Sequence, residues 1–179
     1  MTYSYYPGCT LRNKAKVLDD YARKSAIALG FQLEELEDWQ CCGGVYPLGA
    51  DEIASKLPSV RALKAAGEKG QPLAAVCSAC YHVLKRVNDD MANVEDIQTR
   101  ANNYMGLAEP YKGETQVLHF LEVLRDRIGF DELKKKDVLG LGIVEGKDIF
   151  MLAVALGLQD PQPLKNRQGL FLKTALKTA

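Results

Sequence analysis

The run Trp39-Gln40-Cys41-Cys42-Gly43-Gly44 places two adjacent cysteines directly before two adjacent glycines. Core packing does not explain this run, because a packing thiol is usually a single buried cysteine among apolar residues. The other cysteines of the chain are Cys9, Cys77 and Cys80, and the full spacing is C-x31-C-C-x34-C-x2-C. All five lie close to glycine, proline or serine residues, which favour turns. We interpret them as one thiol site that is assembled from three loops.

Length and composition indicate an ordinary globular protein. With 179 residues, the chain is long enough for one domain with a substantial core. Hydrophobic residues make up 47% of the chain and charged residues 26%, proportions that are typical of soluble proteins. Lys and Arg together number 23, as do Asp and Glu, so the net charge does not favour binding to nucleic acid or to an acidic membrane surface.

The first residues and the apolar runs predict a cytoplasmic protein without a membrane span. The first six residues have neither a basic start nor an apolar run, so no signal peptide is predicted. The longest apolar run, Ile149–Leu158, is too short to cross a bilayer. An odd number of cysteines cannot all form disulfides within one chain, and we therefore expect reduced thiols.

Strand-like and helix-like segments alternate along the chain, which predicts an α/β fold with a mainly parallel sheet and flanking helices. The predicted strands lie at Thr2–Tyr6, Phe31–Leu36 and Leu73–Val76. Pro58 is expected to kink or interrupt the second helix. The first predicted helix runs from Thr10, which could cap it, to Gly30. The other predicted helices lie at 51–69, from Cys80 past Met91, near 95–105 and near 116–128.

This topology is expected to bring the cysteines together. Cys9, the Cys41–Cys42 pair and Cys77 all follow predicted strands. The carboxyl ends of parallel strands meet at one edge of a sheet, and ligands bind at that edge in such folds. Gly43 and Gly44 lack a Cβ atom and allow the backbone to approach a ligand closely.

The amino-acid composition of the sequence changes near residue 136. We therefore predict a cysteine-rich domain over residues 1–136 and a tail of unknown role over residues 137–179. The tail has no cysteine and no histidine. Its Gly140-Leu141-Gly142 run does not fit a nucleotide-binding loop, because it follows a lysine run and not a strand.

Five thiols fit an iron–sulfur cluster better than they fit zinc. Thiolates are soft ligands that suit iron–sulfur clusters, zinc or Cu(I). A structural zinc ion is saturated by four ligands that usually form two short chelating pairs, whereas only Cys77 and Cys80 form such a pair here. Cys41 and Cys42 would point in opposite directions on an extended backbone, so they are poor ligands for one ion but could reach different irons.

Three other interpretations stay open from the residues alone. The cysteines could be ordinary buried core residues. Cys77 and Cys80 could form a thiol/disulfide centre, because a CxxC motif at the start of a helix lowers a thiol pKa, but the other three cysteines then have no role. The site could also be a zinc-stabilised structural domain.

Histidines, aromatic residues and basic residues near the cysteines could assist the site. His82 could donate a hydrogen bond to a cluster sulfur or relay protons, although an exposed helical histidine without a role fits equally well. His119 is interpreted as a satisfied helical residue. Basic residues that flank the cysteine loops could attract an anionic thiol substrate or could form solvated helix faces; they are Arg12, Lys14, Lys85 and Arg86. Aromatic residues that could shield a cluster, or simply pack in the core, are Tyr5, Tyr6, Trp39 and Tyr81.

The cysteine motifs resemble the cysteine-rich CCG domain found in the B subunit of heterodisulfide reductase and in its bacterial relatives. The matching segments are Tyr5–Thr10, Glu37–Gly43 and Cys77–Tyr81. Two later segments, Tyr111–Gly113 and His119–Leu124, are also similar to the family. The resemblance extends over residues 3–136.

The resemblance implies a non-cubane [4Fe-4S] cluster bound by Cys9, Cys41, Cys42, Cys77 and Cys80. It implies a component of a heterodisulfide reductase-like oxidoreductase that reduces a disulfide, of the CoM-S-S-CoB type or another, by two one-electron transfers. The implied partners are an iron–sulfur electron-donor subunit and a flavin subunit.

The sequence departs from this family in its second half. The family's B subunit carries two such domains, and the second would begin near Lys136–Gly142, where no further cysteine follows. This difference leaves a second function open, namely a non-catalytic electron-transfer or assembly module that uses the same cluster.

Overall fold

A parallel sheet of four strands forms the centre of the fold. The computed structural model describes residues 1–44 and 52–135. The strands follow the order β2-β1-β3-β4 across the sheet, and every neighbouring pair is parallel. Their bounds are Thr2–Tyr6 for β1, Gln32–Glu35 for β2, Leu73–Ala75 for β3 and Val117–His119 for β4.

The register of the strands aligns one row of residues at the carboxyl edge of the sheet. Tyr6, the last residue of β1, pairs with Ala75 of β3, and Ala75 pairs with His119 of β4. On the other side of β1, Tyr5 pairs with Glu35, the last residue of β2. The segments that follow all four strands therefore leave the sheet at the same edge.

Helices connect the strands and cover both faces of the sheet, as a parallel sheet requires. Between β1 and β2 lie α1 (Gly8–Asn13) and α2 (Lys16–Ala28), and α3 (Glu52–Glu68) precedes β3. Between β3 and β4 lie α4 (Ser78–Asn93) and α5 (Glu95–Met105). After β4 the chain continues as α6 (Phe120–Glu122), a π-helical segment (Val123–Ile128) and α7 (Phe130–Lys135).

The core consists of two apolar layers, one on each face of the sheet. Leu73 and Ala75 of β3 contact the layer under α3, α4 and α5, whereas Ala74 contacts the opposite layer. This alternation follows from the two-residue period of a strand. Leu63 is fully buried in the first layer, and Phe31 is buried in the second. Both faces of the central strands are thus apolar, which explains the short run of small and aliphatic residues in β3.

The predicted α/β class, the parallel sheet and the placement of the cysteine loops at its carboxyl edge are confirmed. The predicted helix near 116–128 is wrong at its start, because Val117–His119 forms the edge strand β4. Three residues are shorter than one helical turn, so their pattern cannot distinguish a strand from the start of the helix that follows.

The expectation about the start of the first helix is also wrong. Thr10 does not cap the first helix, because α1 already begins at Gly8 and Pro7 occupies the cap position. Pro58 does not interrupt α3, which is continuous from Glu52 to Glu68. The predicted tail over residues 137–179 lies outside the described residues, as does the start of the helix predicted at 51–69. Among the residues that the structure describes, no helix combines the length and apolar composition that crossing a bilayer requires.

The core assignment can be tested by truncating one leucine in the core and one at the surface. Leu63 is 0% exposed, and Leu63→Ala should lower the free energy of unfolding by about 2–5 kcal/mol because it removes buried apolar atoms and leaves a cavity. Leu18 on α2 is 45% exposed, and Leu18→Ala should change that free energy by about 0.5 kcal/mol or less. Urea unfolding followed by circular dichroism measures both. Equal losses in the two variants would contradict this core.

Candidate iron–sulfur site

Cys9 lies in the first turn of α1, directly after β1. The chain turns at Gly8, whose φ of +74° lies in the left-handed region that favours glycine. A Cβ atom on Gly8 would lie 2.6 Å from Sγ of Cys80, so a side chain here would collide with a thiol of another loop. The glycine therefore allows α1 to approach the third cysteine loop closely.

The Cys41–Cys42 pair follows β2 through a loop that is fixed to the end of β1. The rings of Tyr6 and Trp39 pack edge to face, with their centroids 5.5 Å apart. The Tyr6 hydroxyl donates a hydrogen bond to the carbonyl oxygen of Gln40, directly before the two cysteines. Cys42 is 5% exposed, whereas Cys41 is only partly buried. The two thiols thus differ in their access to solvent.

Cys77 and Cys80 lie at the start of α4, directly after β3. Cys77 occupies the N-cap position with an extended backbone, and Cys80 is buried in the first turn. The nearby backbone N–H groups of Cys80 and Ala79 help to lower the pKa of the Cys77 thiol. This arrangement agrees with the prediction that Cys77 ends a strand and Cys80 begins the next helix.

The sulfur atoms form two close contacts, and each contact joins two different loops. Sγ of Cys9 lies 3.5 Å from Sγ of Cys41, and Sγ of Cys42 lies 3.4 Å from Sγ of Cys80. The Cys80 thiol also influences Cys77, whose pKa it lowers. Within residues 1–44 and 52–135, no group of three or more His, Cys, Asp or Glu side chains has the arrangement that would hold a single metal ion.

Hydrogen bonds between the thiols separate their pKa values. The bond from Cys80 lowers the pKa of Cys77 to about 5, and backbone N–H donors add to this effect against the influence of burial. The bond from Cys80 likewise lowers the pKa of Cys42 to about 6. The interactions with Cys42 and Cys77, followed by burial, raise the pKa of Cys80, so its thiol form is favoured. Two thiols are thus thiolates near neutral pH, and the thiolate is the form that binds metal.

Tyr6 is buried near the thiols and is favoured as a neutral phenol. Burial raises the pKa of Tyr6, and the nearby sulfurs of Cys42, Cys80, Cys41 and Cys9 raise it further. The side chain is 0% exposed, so its ring excludes water from the sheet side of the thiols. Tyr6 thus packs in the core beside Cys42 and Cys80, and its shielding of a cluster stays a prediction.

Glu35, at the end of β2, connects two of the cysteine loops. Its carboxylate accepts hydrogen bonds from Nη2 of Arg23 at 2.5 Å and from Nε1 of Trp39 at 3.0 Å. Nη2 of Arg12 lies 3.6 Å from the same carboxylate. Arg12 belongs to α1, which carries Cys9, and Trp39 belongs to the loop of the double cysteine. One carboxylate therefore holds both loops in place.

A polar cluster lies at the carboxyl end of β4, next to the Cys77 loop. His119 is not a helical residue as predicted, because it ends β4 and caps α6. Its ring packs edge to face against Tyr81 at a centroid distance of 5.4 Å, and Nε2 lies 3.3 Å from Oγ of Ser78. The Tyr81 hydroxyl donates to Glu122 and accepts a hydrogen bond from Lys85.

The remaining residues from the sequence prediction lie on the surface. His82 and Arg86 are exposed on α4, Lys14 is exposed just after α1, and Arg12 points its guanidinium toward Glu35. Sequence reasoning gave no role to Glu35. Its position four residues before Trp39 was visible, but its arginine partners lie far away in the sequence.

Comparison with known families identifies the cysteine-rich part of the chain. Residues 3–85 match the family model described as CCG, a cysteine-rich domain, and this segment contains all five cysteines. This part of the chain is therefore similar to the CCG cysteine-rich family, and the predicted resemblance to proteins like the B subunit of heterodisulfide reductase is confirmed.

Two curated proteins are similar over most of this chain. The 8-methylmenaquinol:fumarate reductase membrane anchor subunit of Wolinella succinogenes is 27% identical over 135 residues, which cover 75% of this chain and 46% of that protein. A heterodisulfide reductase B-subunit-like protein of Archaeoglobus profundus is 26% identical over 136 residues, covering 74% of this chain and 45% of that protein. The match thus spans less than half the length of these relatives. Their names support a redox-associated subunit in general.

The contact between Gly8 and Cys80 can be tested with two glycine variants that impose the same backbone strain. Gly8→Ala and Gly30→Ala both place an alanine at positive φ, +74° and +82°, and each should cost about 1–2 kcal/mol. Only Gly8→Ala also meets Sγ of Cys80, because a Cβ at Gly30 has no atom within 4 Å. We expect faster alkylation of Cys80 by iodoacetamide in metal-free Gly8→Ala and no change in Gly30→Ala. Mass spectrometry of the modified peptides measures this, and equal rates in both variants would refute the contact.

The role of Glu35 can be tested with the single tryptophan as a reporter. Glu35→Ala leaves Arg23 and the Trp39 N–H without their acceptor and should lower the free energy of unfolding by about 1–3 kcal/mol. The Trp39 emission should shift to longer wavelength as the loop loosens. Glu34→Ala is the matched control, because Glu34 contacts Lys69 and Gln71 at the surface. An unchanged emission maximum in Glu35→Ala would show that the carboxylate does not hold the loop.

Proposed function

We propose that the five thiols hold a non-cubane [4Fe-4S] cluster and that the chain is the iron–sulfur component of a disulfide-reducing complex. The observation that supports this proposal best is the meeting of three cysteine loops at one sheet edge, with Sγ–Sγ contacts of 3.5 Å and 3.4 Å between loops. Five thiols exceed the four ligands of one tetrahedral ion, whereas a polynuclear cluster can use all of them. The arrangement into two contacts also suits several irons better than one ion.

The residues around the thiols fit such a group. Soft thiolates are the ligands that iron–sulfur clusters use, and Cys42 and Cys77 are already in this form near neutral pH. Gly8 keeps a side chain away from Cys80, since a Cβ at this position would lie 2.6 Å from its Sγ. Cys9, Cys41, Cys42, Cys77 and Cys80 would be the ligands.

The protein supplies shielding and orientation at this site. When bound, the cluster would supply electrons one at a time and a Lewis-acidic iron that sulfur can reach. Tyr6 and Trp39 exclude water from one side, and the backbone donors of α4 fix Cys77. Cys41 and Cys9 are only partly buried, which leaves the opposite side open to a substrate.

The proposed reaction is the reductive cleavage of a disulfide. The S–S bond breaks, two electrons from a donor and two protons from solvent are consumed, and two thiols are released. The electrons would arrive from an iron–sulfur subunit that a flavin subunit supplies, and the disulfide would be of the CoM-S-S-CoB type or a related one. Arg12 and Lys85, on the helices that carry Cys9 and Cys80, would attract an anionic substrate.

A second candidate is a non-catalytic electron-transfer or assembly module with the same cluster. The observation that favours it is the coverage of the relatives, since the chain matches only 46% and 45% of their lengths. If turnover needs groups from the remaining parts of such proteins, this chain alone would exchange electrons without cleaving a disulfide.

The first test is the content of iron and acid-labile sulfide after anaerobic reconstitution. We expect about four of each per chain, with a large drop in Cys42→Ala, which removes one ligand. Val87→Ala is the control, because it truncates a buried side chain in the same apolar layer without touching a thiol. Val87→Ala should keep its iron. Zinc near one per chain without sulfide, unchanged in Cys42→Ala, would overturn the cluster in favour of a structural metal domain.

Turnover separates the two candidates once iron is bound. Reduced viologen dye and a model disulfide are added to the loaded chain, and released thiol is measured. Thiol release that Cys42→Ala abolishes supports the reductase, whereas reversible reduction of the cluster without thiol release supports the electron-transfer module.

A further inference from the structure

The carboxyl edge of the sheet, where the cysteine loops meet, also carries His119, which is neither a proposed cluster ligand nor one of the residues that shield the thiols. His119 ends β4 in register with Ala75, and the chain of β3 reaches Cys77 two residues later. The imidazole therefore lies beside the loop that begins α4. Its neighbours are Ser78 at Nε2, Leu121 at Nδ1 and the ring of Tyr81.

The backbone decides which nitrogen of His119 carries the proton. The N–H of Leu121 points at Nδ1 at 3.1 Å. An amide N–H can only donate, so Nδ1 must accept and cannot itself be protonated. The hydrogen of the neutral ring consequently lies on Nε2. Burial lowers the pKa of His119, which favours this neutral form.

Glu122 helps to hold His119 in this orientation, although its carboxylate does not hydrogen-bond to the imidazole ring. One carboxylate oxygen accepts a hydrogen bond from the backbone N–H of His119 at 2.8 Å, and the other accepts one from the Tyr81 hydroxyl at 3.0 Å. Tyr81 in turn packs edge to face with the imidazole. The ring is thus held from the backbone and from one side, and its orientation is fixed before any ligand arrives.

The fixed tautomer orients the Ser78 hydroxyl. Nε2 carries a hydrogen, so it can donate to Oγ of Ser78 at 3.3 Å but cannot accept from Ser78. The hydroxyl hydrogen of Ser78 must then point away from the imidazole. Ser78 is exposed and directly follows Cys77, so this hydrogen is available to a ligand at the open side of the thiol edge.

We propose that His119 is a positioning residue that presents the Ser78 hydroxyl as a hydrogen-bond donor to an anionic sulfur of the disulfide substrate. This inference rests on the disulfide reduction proposed above. When the S–S bond breaks, each sulfur takes one electron from the donor and later one proton from solvent. Ser78 stabilises the negative sulfur before that protonation and transfers no proton itself.

The test compares five variants of the loaded chain in the viologen assay. Ser78→Ala should lower kcat/KM for a model disulfide about tenfold, the effect of losing one hydrogen bond to a charged group. His119→Ala should cause a similar loss, and the double variant should lose no more than Ser78→Ala alone, because His119 acts through Ser78. His119→Gln should recover most of the rate, since its amide nitrogen can still donate. Ser55→Ala, an exposed serine on α3, is the matched control, and the iron content of each variant is measured alongside.

A second measurement needs neither cluster nor turnover. In metal-free protein with ¹⁵N-labelled histidine, two-bond ¹H–¹⁵N correlations should show His119 with its hydrogen on Nε2, in the wild type and in Ser78→Ala. A hydrogen on Nδ1, a fully active Ser78→Ala, or additive losses in the double variant would each overturn the inference. A wild-type chain that binds the cluster but releases no thiol would instead refute the proposed reductase and this inference with it.

Discussion

The contact between Gly8 and Sγ of Cys80 is the constraint on which the thiol arrangement depends. β1 and β3 are neighbouring parallel strands, so the helices that follow them leave the same edge side by side. Their spacing is set where α1 passes the first turn of α4, and a Cβ at Gly8 would lie only 2.6 Å from the sulfur. The positive φ of the same residue turns the chain from β1 into α1. Parallel pairing determines which loops are neighbours, and the glycine determines how close they are.

Electrostatics explains how several thiols can share this space. The pKa of Cys80 is raised while the pKa values of Cys42 and Cys77 are lowered, so one protonated thiol is favoured beside two thiolates, and nearby backbone N–H groups favour the thiolates further. Tyr6 adds a phenol that burial and the surrounding sulfurs keep protonated. Donors of hydrogen bonds offset part of the repulsion between sulfurs, but they bring no positive charge. Binding a cationic group is therefore more favourable for these thiolates than contact with water alone.

The parts of this fold that the sequence predicts are those with strong local signals. Thr2–Tyr6 ends at Pro7-Gly8, and Leu73–Ala75 ends at a CxxC motif, so both strands and the cysteine positions follow from neighbouring residues. The sequence does not predict β4, because a strand of three residues is too short to show the alternation of apolar and polar residues that marks a strand. Glu35 was missed for another reason. Its partners Arg12 and Arg23 come from two helices of a different segment, and only the folded chain selects them among the other basic residues.

The thiols and the polar cluster at β4 come from different parts of the chain. All five cysteines lie within the segment 3–85 that matches the CCG family, whereas His119 and Glu122 follow it in sequence. β4 pairs with β3 and thereby places His119 beside Ser78, inside the CxxC motif. Under the proposed function, a change in the residues after β4 would alter how the Ser78 hydroxyl is oriented without replacing a proposed sulfur ligand. Ser78 itself lies between Cys77 and Cys80, so the proposed substrate contact and two proposed ligands share one loop, and only His119 is supplied by the edge strand.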